Sequence, residues 1–365
     1  MSTVVVATPD VVGARMAGPG IRAWHLAREL GRIAPTTLIA QLEDAPSADG
    51  VRLLHRDSAD ARRALRDASV LIGQPARRFR KSRPGQRIVF DLFDPTVLEL
   101  RELYGNMPSL RQRIHLAAEW WRLSEALMIA DLLVCAAASQ RRFYESLQSG
   151  DAPWIEVPFG VDLSETGQCE KAQSNVVVWG GGVWEWLDPK TAIDAILQLN
   201  AEGLPCKLLF LGRTRPNRDL IDRRRADRFQ RLLERGNGHV SASADWVPYS
   251  ERLSWLCSGK IAIMLHRSTV EAQYAIRTRL FDAIAAGIPV IATERGFAAD
   301  LVESEGLGIV VPAEDVRAVA LAIRRLLTDD VFRSACVMNL ERVRPRYAWE
   351  VVTRPLTDAV QAWLT

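Results

Sequence analysis

The segment spanning residues 271–293, EAQYAIRTRLFDAIAAGIPVIAT, constrains the fold of this chain more than any other part of the sequence. Its pattern predicts a polar loop, a helix from about residue 279 to 286, a turn at Gly287, and a buried strand after Pro289. Glycine favours the left-handed conformation in which helices commonly end, and proline cannot continue a helix. The apolar run that follows is typical of a parallel strand covered on both faces. The segment therefore indicates an α/β fold.

Polar and charged side chains gather just before this predicted helix and near its start. They are Glu271, Arg277, Thr278, Arg279 and Asp282. A helix N-terminus beside arginines binds anions, because free backbone N–H groups and guanidinium groups both donate hydrogen bonds. A carboxylate one turn into the helix can accept hydrogen bonds from sugar hydroxyls. The segment therefore predicts a site for a nucleotide-diphosphate sugar, bound as a substrate and not as a cofactor.

Length and composition indicate a protein of two ordinary domains. A chain of 365 residues, 48% apolar and 25% charged, suffices for two hydrophobic cores. The net charge of +3 is too small to predict a nucleic-acid partner. Five scattered cysteines form no paired motif, which favours a reduced, cytoplasmic compartment and no zinc site. No apolar run approaches the roughly 20 residues that span a bilayer, so we expect any membrane contact to be peripheral.

Short apolar segments alternate with helical segments along both halves of the chain. This alternation predicts parallel, doubly wound sheets. The predicted strands cover residues 4–7, 37–40, 70–73 and 88–90 in the first half, and 175–179, 206–211, 261–265, 290–292 and 307–311 in the second. Residues 110–130 are predicted as a long helix with one tryptophan, Trp120 or Trp121, packed in the core and the other at its edge.

Several segments resemble one enzyme family. DAIAAGIPVIAT is similar to the Glu-Ala-x-Ala-x-Gly-x-Pro-Val-Ile-Ala segment of the GT-B retaining glycosyltransferases of family 4, and IADLLVCAAASQRRFYE and WIEVPFGVD resemble landmarks of the same family. The resemblance implies two Rossmann-like doubly wound domains facing each other across a cleft. It implies an acceptor-side domain over residues 1–162 and a donor domain over 163–346. A C-terminal helix of about residues 347–365 would pack back on the first domain.

The resemblance also implies roles for acidic residues and for a histidine. Two glutamates of the family, separated by seven residues, hold the donor; here Asp282 occupies the second position, and Glu271 lies eleven residues upstream. Asp91 follows a predicted strand where the family often carries a His-Asp pair. His266 ends another predicted strand close to Glu271. We predict Glu271, Asp91 and His266 as catalytic residues, whereas Asp94 is explained as a helix cap.

The predicted donor site also contains glycines and cations. Gly181 and Gly182 belong to a triple-glycine loop that lets the backbone approach a bulky ligand. Asp188 and Pro189 follow this loop and predict the start of a helix, with Asp188 as its cap. Lys190 matches a family lysine, while the loop arginine of the family is absent, so Arg213 is the predicted replacement. With Lys190 and Arg213, we predict donor contacts by Arg277, Thr278, Arg279 and Asp282.

Two features of the first half have alternative explanations. Gly18 and Gly20 follow the first strand, where they either line the acceptor side of the cleft or form a flexible turn. The basic run of residues 77–87 is either a solvated loop or a contact for anionic lipid or a pyrophosphate-linked acceptor. Its cations are Arg77, Arg78, Arg80, Lys81, Arg83 and Arg87.

These observations predict a glycosyltransferase of hexosyltransferase type. It would transfer a sugar from a nucleotide-diphosphate sugar to a glycan, lipid-linked or small-molecule acceptor. The resemblance implies that it acts in bacterial surface polysaccharide or glycoconjugate biosynthesis. The sequence has no Asp-x-Asp motif, so we expect a metal-independent reaction in which cations and backbone N–H groups stabilise the leaving diphosphate. The alternatives are a nucleotide-sugar epimerase of the same fold and a non-catalytic sugar-nucleotide-binding subunit.

Overall fold

A computed structural model describes residues 3–77, 79–165, 174–212 and 223–365 of the chain. The chain divides into two compact units. Unit 1 comprises Met1–Gly160, Tyr274–Ile276 and Trp349–Thr365, and unit 2 comprises Val161–Gln273 and Arg277–Ala348. The sequence prediction placed the boundary after residue 162 and began the returning C-terminal segment at about residue 347.

Unit 1 contains a seven-stranded parallel sheet with strand order β3-β2-β1-β4-β5-β6-β7. Its strands are β1 (Val4–Gly13), β2 (Thr36–Glu43), β3 (Val51–His55), β4 (Val70–Gly73), β5 (Arg87–Asp91), β6 (Leu132–Cys135) and β7 (Trp154–Glu156). Its helices are α1 (Gly18–Gly31), α2 (Ala59–Asp67), α3 (Thr96–Tyr104), α4 (Leu110–Ile129), α5 (Ala138–Glu145), α14 (Trp349–Val352) and α15 (Arg354–Leu364).

The central strands of unit 1 form where the sequence predicted them, because they are fully buried apolar runs. β3 was not predicted: it is an edge strand that alternates between half-buried and exposed residues and so lacks a continuous apolar signal. On α4, Trp120 packs against the core while Trp121 is half exposed, which confirms the prediction for this pair.

Unit 2 contains a six-stranded parallel sheet with strand order β10-β9-β8-β11-β12-β13. Its strands are β8 (Val176–Gly180), β9 (Lys207–Leu211), β10 (Val240–Ala242), β11 (Ile261–Met264), β12 (Val290–Thr293) and β13 (Gly308–Val311). Its helices are α6 (Pro189–Ala201), α7 (Arg223–Arg235), α8 (Arg252–Cys257), α9 (Val270–Tyr274, whose last residue is assigned to unit 1), α10 (Thr278–Ala286), α11 (Phe297–Glu305), α12 (Val316–Thr328) and α13 (Asp330–Val343).

The segment that constrained the fold forms the predicted helix, turn and strand. α10 ends at Gly287, which has φ 68° and ψ 33° in the left-handed region, and β12 is buried along its whole length. Two details differ from the prediction. The expected polar loop before α10 contains the short helix α9, and Asp282 is the fifth residue of α10 and so lies beyond its first turn.

Two further findings concern the whole chain. Of the helices within the described residues, none has the length and apolar content needed to cross a membrane. Cys135, Cys206 and Cys336 are buried free thiols, but Cys257 is disulfide-bonded. The expectation of cysteines without a pair is therefore wrong at Cys257.

Candidate functional site

The strand order of unit 2 reverses between β8 and β11, which are hydrogen-bonded neighbours. In open parallel sheets, ligands bind outside the carboxyl ends of the strands at such a reversal. Gly181 and Gly182 follow β8 directly, and His266 lies two residues after β11. The fold therefore brings the predicted glycine loop and the predicted histidine to the ends of adjacent strands.

The glycine loop is packed against aromatic rings and held by one arginine. Gly181 has φ 72°, and a Cβ atom added to Gly182 would lie 3.3 Å from the Trp246 ring. The Nη2 atom of Arg279 donates to the Gly182 carbonyl at 3.0 Å, and its guanidinium lies 5.3 Å from the centre of the Trp179 ring. Glycine is required here because the backbone approaches side chains closely and adopts the left-handed region.

Not all hydrogen-bond donors of Arg279 have an acceptor among the described residues. Its Nη1 atom is buried and has no hydrogen-bond partner among the described residues. Burial, followed by the nearby charge of Arg277, lowers the pKa of Arg279 to about 9. A cation destabilised in this way gains from an anion that accepts its free N–H groups.

Glu271 and Arg277 form a buried ion pair. Two guanidinium nitrogens of Arg277 donate to the two carboxylate oxygens of Glu271, both at 2.7 Å. Glu271 is fully buried, and the Nε atom of Arg277 has no hydrogen-bond partner in the described part of the chain. The two residues compensate each other's charge, so Glu271 is not a free carboxylate, and Arg277 keeps only its Nε–H group for a further acceptor.

His266 is buried and is held by two hydrogen bonds. Its backbone N–H donates to the Thr293 hydroxyl at 3.0 Å, and its Nδ1 atom lies 3.0 Å from the Arg267 carbonyl. Burial, and then the charge of Arg277, lowers the pKa of His266 to about 4. The neutral ring carries its proton on Nδ1, because a carbonyl only accepts, so Nε2 is the nitrogen that can accept a hydrogen bond.

Asp188 is a site residue that the sequence analysis took only for a helix cap. Its Oδ1 atom caps α6 by accepting from the Thr191 backbone at 3.1 Å, as predicted. Its Oδ2 atom is buried and has no partner among the described residues. The Asp188 backbone N–H donates to the Leu265 carbonyl at 3.0 Å, which fixes the carboxylate beside the end of β11. In the sequence, Asp188 could have been recognised as a candidate site residue by its position shortly after the glycine loop.

Other predicted donor residues have different partners. Lys190 is exposed, and its ammonium group pairs with Asp194 at 2.7 Å, so the structure does not bring it into this cluster. Asp282 is half-buried and accepts from Arg252 at 3.1 Å. Thr278 is the first residue of α10. The predicted replacement cation, Arg213, lies outside the described residues.

In unit 1, Asp91 ends β5 and is held by a buried arginine. Arg22 donates to both Asp91 carboxylate oxygens, at 2.7 and 2.8 Å, and also to the Val157 and Pro158 carbonyls. Asp91 borders a small cavity at the carboxyl ends of β4 and β5, which Thr8 of β1 and Gln74 also line. Sequence analysis did not identify Arg22, because no local pattern links α1 to β5.

Two further predictions for unit 1 are modified by the structure. Asp94 does not cap α3, whose N-cap is Pro95 without a side-chain bond, so the capping explanation is wrong. Burial, followed by Glu99, Asp10 and Asp91, raises the pKa of Asp94 well above its ordinary value. Gly18 and Gly20 lie in the first turn of α1. A Cβ atom on Gly20 would lie 2.1 Å from the Val11 carbonyl oxygen, so close packing of helix on strand accounts for Gly20.

Comparison with known proteins agrees with this geometry. Residues 174–329 match the model of the family described as Glycosyl transferases group 1, and these residues make up most of unit 2. Unit 2 belongs to the group 1 glycosyl transferases. A comparison with curated protein sequences finds no match.

Solved structures with the same fold are also glycosyltransferases. Sucrose-phosphate synthase from Thermosynechococcus elongatus is 16% identical with a TM-score of 0.74, over 100% of this chain and 99% of that one. WaaG, a glycosyltransferase involved in lipopolysaccharide biosynthesis, is 16% identical with a TM-score of 0.70, over 99% of each chain. HepE from Anabaena, in complex with UDP-glucose, is 12% identical with a TM-score of 0.68, over 99% of this chain and 100% of that one.

The chain is therefore a glycosyltransferase with the GT-B fold, as the sequence resemblance implied. The family match supports the glycosyltransferase interpretation over the epimerase and the non-catalytic subunit that the sequence left open. It covers the glycine loop, His266 and the α9–α10 segment, which are the parts of the glycosyltransferase that come together at the ends of β8 and β11.

Proposed function

We propose that this glycosyltransferase binds a nucleotide-diphosphate sugar at the carboxyl ends of β8 and β11 and transfers the sugar without a metal ion. The observation that supports this proposal is the pair of incompletely satisfied arginines, Arg277 and Arg279, at the start of α10. Each has a buried N–H group with no partner in the described part of the chain. Buried unsatisfied donors are costly, and a diphosphate would satisfy them.

The chemistry requires stabilisation of the leaving diphosphate as its bond to the sugar breaks. Arg277, Arg279 and the N-terminus of α10, where the helix dipole favours negative charge, supply positive groups that are already oriented. The neutral ring of His266 and the free Oδ2 atom of Asp188 supply acceptors for hydroxyl groups. Such a site combines donors for an anion with acceptors for a sugar, which is the pattern that a nucleotide-diphosphate sugar needs.

The resemblance to family 4 supports retention of the anomeric configuration. NMR of the product glycoside tests this, and an inverted product would contradict it. Lack of an Asp-x-Asp motif and the two arginines support metal independence. We expect turnover to survive EDTA, and a loss of turnover that Mn²⁺ or Mg²⁺ restores would overturn this part of the proposal.

The likeness to HepE, which was solved with UDP-glucose, makes a uridine nucleotide the first donor to test. The likeness to WaaG, together with the sequence resemblance, supports a role in bacterial surface polysaccharide or glycoconjugate biosynthesis. The acceptor would then be a glycan, a lipid-linked sugar or a small molecule, used on the cytoplasmic side of the membrane.

Calorimetric titration with UDP, GDP, ADP and TDP tests the donor site directly. A ligand at a hundred times its Kd stabilises the folded state by about 2.7 kcal/mol, so thermal shifts with the same panel provide a second readout. We expect one base to bind tightly and Asp188→Asn to weaken binding of the matching nucleotide sugar. Asp194→Asn is the matched control, because Asp194 lies on the same helix and pairs with Lys190 and Arg235. Equal effects of the two substitutions would contradict the proposed site.

A further inference from the structure

The chain makes a short excursion between the two partners of the buried ion pair at the candidate site. Glu271 and Arg277 both lie in unit 2, whereas the residues Tyr274–Ile276 between them belong to unit 1. The chain therefore leaves unit 2 after Gln273 and returns to it at Arg277. The ion pair joins the two ends of this excursion, and we call Tyr274–Ile276 the 274–276 loop.

The 274–276 loop is anchored by an aromatic contact within unit 1. The ring of Tyr274 stacks on the ring of Phe143, with the ring centres 4.8 Å apart and an angle of 29° between the ring planes. Phe143 lies on α5, and Tyr274 packs against the hydrophobic core of unit 1. Ala275 and Ile276 are buried as well. Stacked aromatic rings stabilise a contact beyond the area that they bury, so this pair holds the loop in place.

The hydroxyl group of Tyr274 takes no part in the anchor. It has no hydrogen-bond partner among the described residues, and the side chain is half-buried. The contact with Phe143 therefore depends on the ring of Tyr274, which a phenylalanine would reproduce.

The 274–276 loop leads directly into the start of α10. Arg277, the residue after the loop, is the N-cap of α10, and its side chain makes no capping hydrogen bond. Its guanidinium donates to Glu271 instead. Because no side-chain cap fixes this helix N-terminus, its position depends on the chain that enters it and on tertiary contacts. Here these are the loop stacked on Phe143 and the ion pair with Glu271.

The exact position of the start of α10 matters for binding an anion. The Nε atom of Arg277 and the Nη1 atom of Arg279 are buried donors without a partner in the described part of the chain. Both arginines follow the 274–276 loop closely in the sequence. A diphosphate can accept from both only while the two side chains keep their arrangement, since a displacement of about 1 Å already impairs a binding site.

We propose that Tyr274 and Phe143 are positioning residues of the donor site. Their stacked rings hold the 274–276 loop and, through it, the two arginines at the start of α10 in the arrangement that a nucleoside diphosphate needs. This inference rests on the proposed function, because it assigns a supporting contact to the same site. Neither ring is assigned a contact with the donor, and each acts through the loop.

Substitutions on both sides of the stack test the proposal in the full chain. Calorimetric titration gives the Kd for UDP, GDP, ADP or TDP, whichever binds most tightly. Tyr274→Ala and Phe143→Ala should each raise this Kd roughly 2- to 12-fold, because without the stack the loop keeps its arrangement for only part of the time. The double variant should bind no more weakly than the weaker single variant, because both substitutions break the same contact.

Two further variants separate positioning from other roles. Tyr274→Phe keeps the stacked ring and should bind the nucleotide as the wild type does, whereas a loss of affinity would assign the hydroxyl group a contact with the donor. Tyr104→Ala is the matched control. Tyr104 of α3 is also half-buried, and its ring lies 6.0 Å from the ring of His115, elsewhere in unit 1. This variant removes the same side chain and should leave the Kd unchanged.

Hydrogen exchange without ligand provides a readout that does not depend on nucleotide binding. In Phe143→Ala, the backbone amides of residues 270–282 should exchange faster, by about the factor by which the Kd rises, because exchange occurs from the state in which the loop is released. The amides of α12 in unit 2 should exchange as they do in the wild type. A variant that merely loosened the whole protein would instead speed up exchange in both segments.

Four outcomes would overturn the proposal. They are an unchanged Kd in Tyr274→Ala and Phe143→Ala, a weakened affinity in Tyr274→Phe, an equal loss of affinity in Tyr104→Ala, and unchanged exchange of residues 270–282 in Phe143→Ala. A wild-type protein that binds none of the nucleotides would contradict the proposed function. The exchange measurement would still decide, in that case, whether the stack of Tyr274 on Phe143 holds the start of α10.

Discussion

Replacing Arg279 by methionine should raise thermal stability and at the same time weaken nucleotide binding. The fall of the pKa of Arg279 from 12.5 to about 9 corresponds to an unfavourable free energy of about 5 kcal/mol for the charged side chain. Loss of the bond to the Gly182 carbonyl and of the contact with the Trp179 ring removes about 2–4 kcal/mol of stabilisation. The difference leaves the unliganded Arg279→Met protein more stable by about 1–3 kcal/mol.

The effect on binding has the opposite sign. A charge-assisted hydrogen bond to phosphate contributes about 1.5–3 kcal/mol, which corresponds to a Kd roughly 10 to 150 times higher when it is lost. Arg279→Lys should restore part of the affinity, because lysine supplies the charge without the planar pair of donors. Calorimetric titration gives the Kd, and scanning calorimetry without ligand gives the melting temperature.

The control is Arg235→Met, which removes the same charge. Arg235 is exposed and pairs with Asp194 at 2.8 Å on the solvent side of unit 2. We expect Arg235→Met to change the nucleotide Kd and the melting temperature only slightly, because exposed ion pairs contribute little. If Arg279→Met leaves the Kd unchanged, or lowers stability as it weakens binding, then Arg279 supports the fold and does not bind the diphosphate.

Three other predictions concern acidic residues. Asp282→Asn should weaken nucleotide affinity by about 1.5–3 kcal/mol with little change in melting temperature, and an effect on melting alone would make Asp282 a structural partner of Arg252. Glu271→Gln should destabilise unit 2 by about 3–5 kcal/mol, because it leaves the buried charge of Arg277 unpaired. Urea unfolding of this variant and of the double variant Glu271→Gln/Arg277→Met, in which no charge is left unpaired, measures the effect. A Glu271→Gln protein as stable as the wild type would contradict the prediction. Asp94→Asn should raise the melting temperature at neutral pH but not near pH 4. The pKa of Asp94 is raised in the folded protein, so the folded state loses stability as the pH rises and the carboxyl group ionises. An equal shift of the melting temperature at both pH values would rule out titration of Asp94 as the cause.

The fold could be predicted where its signals are local. The left-handed Gly287, the following proline and the buried strand β12 depend on neighbouring residues in the sequence, so their pattern is visible without a structure. β3 escaped prediction because its residues are only partly buried, and what makes it a strand is its pairing with β2. α9 is five residues long, too short to show a helical period.

The site could be predicted only in part, since side-chain partners depend on tertiary contacts. The charged residues around α10 were identified from the sequence. The sequence could not show that two guanidinium nitrogens of Arg277 donate hydrogen bonds to Glu271. Lys190 was chosen by its resemblance to a family lysine, yet it lies on the exposed side of α6. Asp188, two residues earlier, was explained by capping, which accounts for one carboxylate oxygen and leaves the other without a partner.

The buried pair of Glu271 and Arg277 gives a physical reason for the properties of its neighbours. Burial, and then the charge of Arg277, lowers the pKa of both Arg279 and His266, so three cationic groups at this point would repel one another. Glu271 offsets one positive charge, and burial together with Arg277 keeps His266 neutral at physiological pH. The arrangement leaves Arg279 as a cation that no carboxylate pairs with among the described residues, each of the two arginines with one unsatisfied donor, and His266 as an uncharged group. An anion is therefore the ligand that relieves the remaining repulsion, which is why this end of the sheet suits a diphosphate better than a neutral sugar alone.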